Sequence, residues 1–339
     1  MVKNSLVKVN LVSGSSVPKY RQIIGAIVEL IRARELRPGD RIPSINELCA
    51  RHGVSQDTVL TAYSELKTRG VITSSVGKGY YVSRLEGNHR IFLLFDKLAS
   101  YKETLYEAFK GALDGKAVER LYFHYNDPEI FATLVEAASG KYTEYVIMPL
   151  AHAKAVESLE HLPRKKVYIL DQGRTQLSNR FAGICQNFAG DIYDVLSTVT
   201  SAVERYRKLF LIVRSLKSHY GEIARGFKRY CTEHHVRCAV IPSASGHALE
   251  APAAYIVVDD RDLVDLIKRV DVQHLRLGSE IGLLSYNESP LKEVIAGGIT
   301  TISTDFASMG RSIAEMILSG RHEYKDNPFG MIRRNSFRA

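Results

Sequence analysis

Cysteine is scarce in this chain: four in 339 residues, Cys49, Cys185, Cys231 and Cys238, with no CxxC pair among them. That excludes a fold stapled by disulfides and leads to the expectation of reduced thiols in a cytosolic protein. Long apolar runs are missing as well. No segment approaches the roughly 20 apolar residues of a membrane span, and the opening stretch MVKNSLVKVNLVSGSSVPKY lacks the apolar core of a signal peptide. A cytoplasmic protein that is neither exported nor membrane-bound is the expectation. Catalytic signatures are also absent: there is no HExxH, no GxSxG and no Cys/His cluster, and no GxGxxG or GxxxxGKS/T follows any apolar strand to cradle phosphate. His234 and His235 are adjacent, so on a helix they point about 100° apart and do not converge on a metal. No enzyme activity, cofactor or metal is expected.

What is present is ordinary for a globular protein, with 45% hydrophobic and 24% charged residues. The length suggests two domains. The formal net charge is +9, and it is unevenly spread: residues 1–85 hold 13 Lys and Arg against 6 Asp and Glu, whereas residues 86–339 hold 33 against 31. A small, strongly basic segment favours an anionic partner such as nucleic acid or a membrane surface, although a solvated, solubilising face would give the same count.

The basic segment reads as three helices and a hairpin. From Val17 to Arg34, apolar side chains at Tyr20, Ile23, Ile24, Ile27, Val28 and Ile31 fall on one helical face. Ser44-Ile45-Asn46-Glu47 has the S-x-x-E form of a capping box and opens a second, short helix that ends near Gly53. Ser55 caps a third, with Val59, Ala62, Tyr63 and Leu66 inward. Val71–Ser74 and Tyr80–Ser83 then flank a glycine-bearing turn with Lys78 at its tip. The sum is a winged helix-turn-helix. A helix fits the major groove, and polar side chains near its start can meet base edges. The candidate DNA contacts are Arg41, Ser44, Asn46, Ser55, Gln56, Asp57, Thr58, Thr61, Gly77, Lys78 and Gly79, although Gly77 and Gly79 could serve only to make the turn.

The run Arg37-Pro-Gly-Asp-Arg-Ile-Pro-Ser44, with Glu47-Leu48, Gly53-Val54-Ser55, Thr58-Val59, Leu66, Gly70-Val71-Ile72 and Gly77-Lys78-Gly79, resembles the winged-helix domain of the gluconate-operon-repressor (GntR) family of bacterial regulators. The resemblance implies operator binding. Three positions where that family often carries arginine hold Asn46, Gln56 and Leu60 here, which implies a different operator and weaker non-specific binding.

Beyond a polar joint at Leu85–His89, apolar strands alternate with amphipathic helices. Candidate strands are Ile91–Phe95, Leu121–His124, Tyr145–Met148, Val167–Leu170, Leu209–Val213, Cys238–Ile241, Tyr255–Val258 and Gly282–Leu284. Helices are expected at Tyr101–Leu113, Pro128–Ala138, Gly190–Val203, Glu222–Glu233 and Arg261–Val270. The pattern implies an α/β fold: a two-lobed, doubly wound parallel-sheet domain behind the winged helix. The expected organisation is residues 1–84 as DNA-binding domain, 85–90 as linker and 91–339 as effector domain. Ligands of such sheets bind beyond the carboxyl ends of the strands. The candidate ligand contacts there are Asp96, Tyr101, Lys102, His152, Asp171, Asn187, Tyr220, Asp259 and Asn287. Asp259-Asp260 could equally be a helix start. Carboxylates, amides and tyrosines suit a polyhydroxylated ligand.

Lys110-Gly111, Val146-Ile147-Met148-Pro149, Leu170-Asp171, Gly226-Phe227, Val257-Val258-Asp259-Asp260, Leu284–Glu288, Ile299–Ile302 and Arg334-Asn-Ser336 resemble the effector domain of the lactose/galactose repressor family, itself similar to type I periplasmic sugar-binding proteins. That resemblance places sugar contacts on Asp171, Asp259 and Asn287, and puts Ile223 where the family has an arginine, with His219, Tyr220 or Lys217 as candidate replacements. A winged helix of one family on an effector domain of the other is similar to arabinose-repressor-type regulators. The combination implies a homodimer on double-stranded operator DNA, released or recruited by a monosaccharide of the L-arabinose or L-fucose class, repression being the family's usual sign. The alternative is a cytosolic sugar-binding or sugar-processing protein whose basic segment is not a specific DNA reader.

Overall fold

The computed structural model describes residues 9–12, 14–68, 70–75, 79–83 and 89–338. Gly77, Lys78 and residues 84–88, which include most of the expected linker, lie outside the described residues. The chain divides into two compact units, one made of residues 1–93, 113–121 and 138–145, the other of residues 94–112, 122–137 and 146–339.

The N-terminal elements are α1 (Lys19–Arg32), α2 (Ile45–His52), α3 (Gln56–Thr68) and the antiparallel hairpin β1 (Ile72–Ser75) and β2 (Gly79–Val82). The apolar face expected of α1 is turned inward: Ile23, Ile24 and Ile27 are buried with Leu48, Val59, Ala62, Tyr63, Leu66, Ile72 and Val82 in one core. The capping box at Ser44 is complete, with Glu47 N–H donating to Ser44 Oγ at 3.2 Å and Ser44 N–H donating to Glu47 Oε2 at 2.5 Å. Gly53 closes α2 in the left-handed region at φ 62°, which sets the sharp turn into α3.

The remainder alternates strand and helix. The first part is β3 (His89–Phe95), α4 (Ser100–Leu113), β4 (Ala117–Phe123), α5 (Pro128–Ala138), β5 (Glu144–Ile147), α6 (Ala153–Glu160), β6 (Val167–Asp171), α7 (Arg174–Leu177) and β7 (Ala182–Cys185). The second is α8 (Phe188–Ser197), α9 (Thr200–Val203), β8 (Leu209–Ile212), α10 (His219–Glu233), β9 (Cys238–Ile241), β10 (Ala253–Val257), α11 (Asp260–Val272), β11 (Ile281–Tyr286), α12 (Pro290–Val294) and β12 (Thr300–Thr304). The chain ends in α13 (Phe306–Leu318), β13 (Tyr324–Asp326) and β14 (Phe329–Ile332). Two six-stranded sheets result, ordered β13-β7-β6-β5-β3-β4 and β14-β12-β11-β10-β8-β9. Strands β13, β7 and β6 pair in parallel, as do β12, β11, β10, β8 and β9, and the edge strand β14 runs antiparallel to β12.

In each sheet the strand order reverses, between β3 and β5 in one and between β8 and β10 in the other. Those are the switch points at which such sheets open a crevice. The helix expected over Gly190–Val203 is two, α8 and α9, and it begins earlier, because Asn187 Oδ1 accepts from Gly190 N–H and starts α8 at Phe188. Three segments pass between the sheets, at Gln186-Asn187, at Asp305 and at Asn327-Pro328. They are bonded to one another through buried Asn327: its N–H donates to Cys185 O at 2.9 Å, and its Nδ2 donates to Thr304 Oγ1 at 2.8 Å and Asp305 O at 2.9 Å.

Helices α8 and α10 pack so closely that a Cβ on Gly226 would lie 2.1 Å from Ala189 O and 2.7 Å from Ile192 Cγ2. Backbone cannot retreat as a side chain can. Gly226→Ala is therefore expected to destabilise this lobe by about 1–3 kcal/mol, lowering the urea midpoint with little change in slope.

Candidate functional site

On the winged helix, Arg41, Asn46, Ser55, Gln56, Asp57 and Thr61 are exposed, while Ser44 and Thr58 are half-buried. Six of the polar side chains are used locally. Ser44 caps α2, and Ser55 Oγ accepts from Thr58 N–H at 3.3 Å and bonds Thr58 Oγ1 at 2.8 Å, which fixes the start of α3. Thr61 Oγ1 donates to Asp57 O at 2.7 Å. Gln56 Nε2 donates across the turn to Asn46 Oδ1 at 3.3 Å. The guanidinium of Arg41 lies against Gly79, whose φ of 104° and missing Cβ leave room 3.4 Å from Arg41 Nε. The hydrogen bond from Ser44 N–H holds the Glu47 carboxyl below its usual range.

A concavity of about 570 Å³ is lined by residues at and beyond the carboxyl ends of β3, β5, β6, β7, β8, β10 and β11. Its walls include Asp96, Tyr101, Lys102, Asp171, Tyr220, Asp259 and Asn287, seven of the nine residues expected from sequence. The other two cap helices: His152 Nδ1 accepts from Lys154 N–H at the start of α6, and Asn187 starts α8. Asp259 has both positions suggested for it, lining the cleft while its Oδ1 caps α11 through Arg261 N–H at 2.9 Å.

The cleft floor is ionic. Lys102, only 2% exposed, pairs with Asp96 and lies 4.0 Å from Asp171 Oδ2. Gln186 Nε2 donates to Asp171 Oδ1 at 2.6 Å. Burial raises the Asp171 carboxyl above its ordinary value, against the opposing pull of Lys102 and Gln186. Asp171 and Asn287 both sit at positive φ, 68° and 63°, strained backbone of the kind that gathers at binding sites.

On one wall, burial drives His219 down to about 4, so it is neutral at pH 7. Its ring stacks on Phe188 at 5.1 Å and its Nδ1–H donates to Gln172 Oε1 at 3.1 Å. Burial also raises the Tyr101 and Tyr220 hydroxyls, which stay protonated donors.

Sequence reasoning did not single out Gln186, Lys292 or Phe188. Lys292 is buried on α12, its Nζ donating to Tyr286 O at 2.9 Å and Asn287 O at 2.8 Å and pairing with Asp260 at 2.9 Å. Gln186 follows β7, whose Ala-Gly-Ile-Cys run is too weakly apolar to stand out in the pattern. Five buried side-chain polar atoms among the described residues lack a hydrogen-bond partner, and three of them, Gln186 Oε1, Tyr286 OH and Asn287 Oδ1, belong to residues lining this cleft.

A helix-turn-helix with exposed polar groups at the start of its second helix, in one chain with a two-lobed fold built around a polar cleft, fits a transcription regulator. Comparison with known proteins agrees. Residues 19–82 match the description "Bacterial regulatory proteins, gntR family", and residues 202–332 match "Periplasmic binding protein-like domain". The HTH-type transcriptional repressor YtrA of Bacillus subtilis is 35% identical over 109 residues, which is 32% of this chain and 82% of YtrA. The chain belongs to the gntR family of bacterial regulatory proteins. It is a DNA-binding transcription regulator, as its relatives are, and not an enzyme.

Over the α/β portion the fold is that of the lac repressor dimer bound to operator and the anti-inducer ONPF, with a TM-score of 0.61 at 16% identity, covering 74% of this chain and 94% of that one. A periplasmic binding protein/LacI transcriptional regulator from Alkaliphilus metalliredigens complexed with D-xylulofuranose aligns with a TM-score of 0.59 at 11% identity, over 74% of this chain and all (100%) of that one. No helix among the described residues is long and apolar enough to cross a membrane.

Lys102→Met would leave two carboxylates buried together without a cation. A loss of about 3–5 kcal/mol at neutral pH is expected. Without Lys102 the folded-state carboxyl pKa rises further above the unfolded value, so the folded form binds a proton more tightly and part of the loss returns as pH falls. Urea denaturation at pH 7.5 and pH 5 would measure both.

Proposed function

We propose that this regulator acts in the cytoplasm as a homodimeric repressor whose hold on a near-palindromic operator is loosened by an uncharged monosaccharide, a pentose or 6-deoxyhexose such as L-arabinose or L-fucose. The observation that carries this reading is the set of unpartnered buried atoms at the cleft, Gln186 Oε1, Tyr286 OH and Asn287 Oδ1. Buried polar groups left unpaired cost about 1–3 kcal/mol each. A ligand bearing several hydroxyls, each donor and acceptor, satisfies two acceptors and a phenol together. Asp171, Asp259 and Asn287 then fix the hydroxyl pattern, Tyr101 and Tyr220 cover its faces, and Asp96 and Lys102 hold Asp171 in place.

The cleft's charged side chains include both signs: Asp96 and Asp171 face Lys102, and Asp260 faces Lys292. The buried cations are thus neutralised within the cleft floor, and Lys97, Lys217 and Arg261 stay at its exposed rim, which supports an uncharged ligand at the floor. The sugar complex recorded for the Alkaliphilus protein supports the same class. The dimer described for the lac repressor supports two winged helices spaced on one duplex. Sugar closes the lobes about the crossing segments tied by Asn327, and a coupling of about 1–3 kcal/mol would loosen the operator roughly 5–150-fold.

The test is a thermal-shift screen over monosaccharides, followed by operator binding with and without the best sugar. Asp171→Ala is expected to lose both the sugar's thermal shift and its effect on DNA while keeping operator affinity. By linkage the operator must weaken the sugar by the same factor, so equal sugar affinity with and without operator overturns the switch. Lys78→Ala should weaken binding to every duplex sequence and reduce the salt slope by about one, as expected of a phosphate contact.

A further inference from the structure

On the proposed operator-binding reading, the start of α3 carries its own specificity. The exposed positions from Gln56 to Ser64 are Gln56, Asp57, Leu60, Thr61 and Ser64. None is an arginine or lysine, the residues that fork onto the O6 and N7 acceptors of guanine. What is offered instead is an amide. One Nε2 hydrogen of Gln56 is committed to Asn46 Oδ1 at 3.3 Å, which orients the group and leaves its other N–H and its Oε1 as an adjacent donor and acceptor. That pair complements adenine, whose N7 accepts and whose N6 amino group donates, and mismatches guanine, which presents two acceptors.

A second, separate observation points the same way. Leu60 is a large apolar side chain left 44% exposed on an otherwise polar face. It lies four residues after Gln56, one helical turn along on the same side. Its natural contact in a major groove is the thymine methyl. Asp57, one residue from Gln56, lies about 100° round the helix and does not share that line.

We propose that α3 reads A·T pairs: Gln56, oriented by Asn46, bonds an adenine, and Leu60 packs on the methyl of a neighbouring thymine. Asn46 is a positioning residue in this scheme. The test is selection of bound sequences by the full chain from a randomised duplex pool. The wild-type protein should enrich half-sites with a fixed A·T pair, and Gln56→Arg should move that one position to G·C while losing tenfold or more on the wild-type site. Asn46→Ala should cut the preference for adenine over guanine severalfold, read as the ratio of affinities for the A·T and G·C duplexes. Replacing the thymine by uracil should weaken the wild-type protein and leave Leu60→Ala unaffected.

A wild-type half-site that keeps G·C at the position Gln56→Arg alters, or identical motifs for wild type and Gln56→Arg, overturns the proposal while the operator reading stands. Failure of the wild-type chain to enrich any duplex overturns the operator reading itself, and this one with it.

Discussion

One buried ammonium organises the cleft of the α/β portion. Lys102 rises from the first turn of α4 into the ends of β3 and β6, where it pairs with Asp96 and stands 4.0 Å from Asp171. Two carboxylates out of water would repel each other and hold protons; with a cation between them they can be presented to a ligand as acceptors. Asp171 then passes the arrangement on through its 2.6 Å bond to Gln186. Gln186 stands where the chain first leaves one sheet for the other. The cleft and the joint between lobes are thus parts of one hydrogen-bonded structure.

The joint has a corresponding order. A single buried asparagine, Asn327, binds Cys185 O on the first crossing and Asp305 O on the second while itself forming the third. Three crossings tied this way bend together rather than separately, which suits a hinge moving between two arrangements. The strain at Asp171 and Asn287 sits on the cleft side of that hinge, so reorganising either strand end reaches both the ligand and the joint.

Much of this was legible in the sequence. The winged helix was, because its signals are local and redundant: the capping box at Ser44, the left-handed glycine at position 53 and the inward run Val59, Ala62, Tyr63, Leu66 each report the same element. Strands with unbroken apolar runs were legible too, Cys238–Ile241 to the residue. What escaped was set by tertiary pairing. Strand β7 is Ala-Gly-Ile-Cys, four residues whose strand character comes from lying beside β6, and the glycine at 183 is required because a Cβ there would fall 2.0 Å from Ile169 O. Missing β7 meant missing Gln186. Lys292 could not be found from pattern either, since a lysine on a short helix reads as solvated until Tyr286 and Asn287 carbonyls are seen to receive it.

The place of the absent arginine shows how the parts answer one another. Ile223 is buried on α10, and no charge stands at that position. His219, one turn earlier on the same helix, does not supply one, because burial between Phe188 and Tyr220 keeps its imidazole neutral and its Nδ1–H is spent on Gln172. The wall of the cleft formed by α10 is therefore apolar and aromatic with neutral donors, and the two buried cations, Lys102 and Lys292, are each matched by a carboxylate, while Lys97, Lys217 and Arg261 are exposed at the rim. Such a wall favours the hydrophobic face of a ring over a charged edge. Loss of the arginine and internal neutralisation of Lys102 and Lys292 thus act in the same direction, and both support the proposed ligand recognised by the arrangement of its hydroxyls.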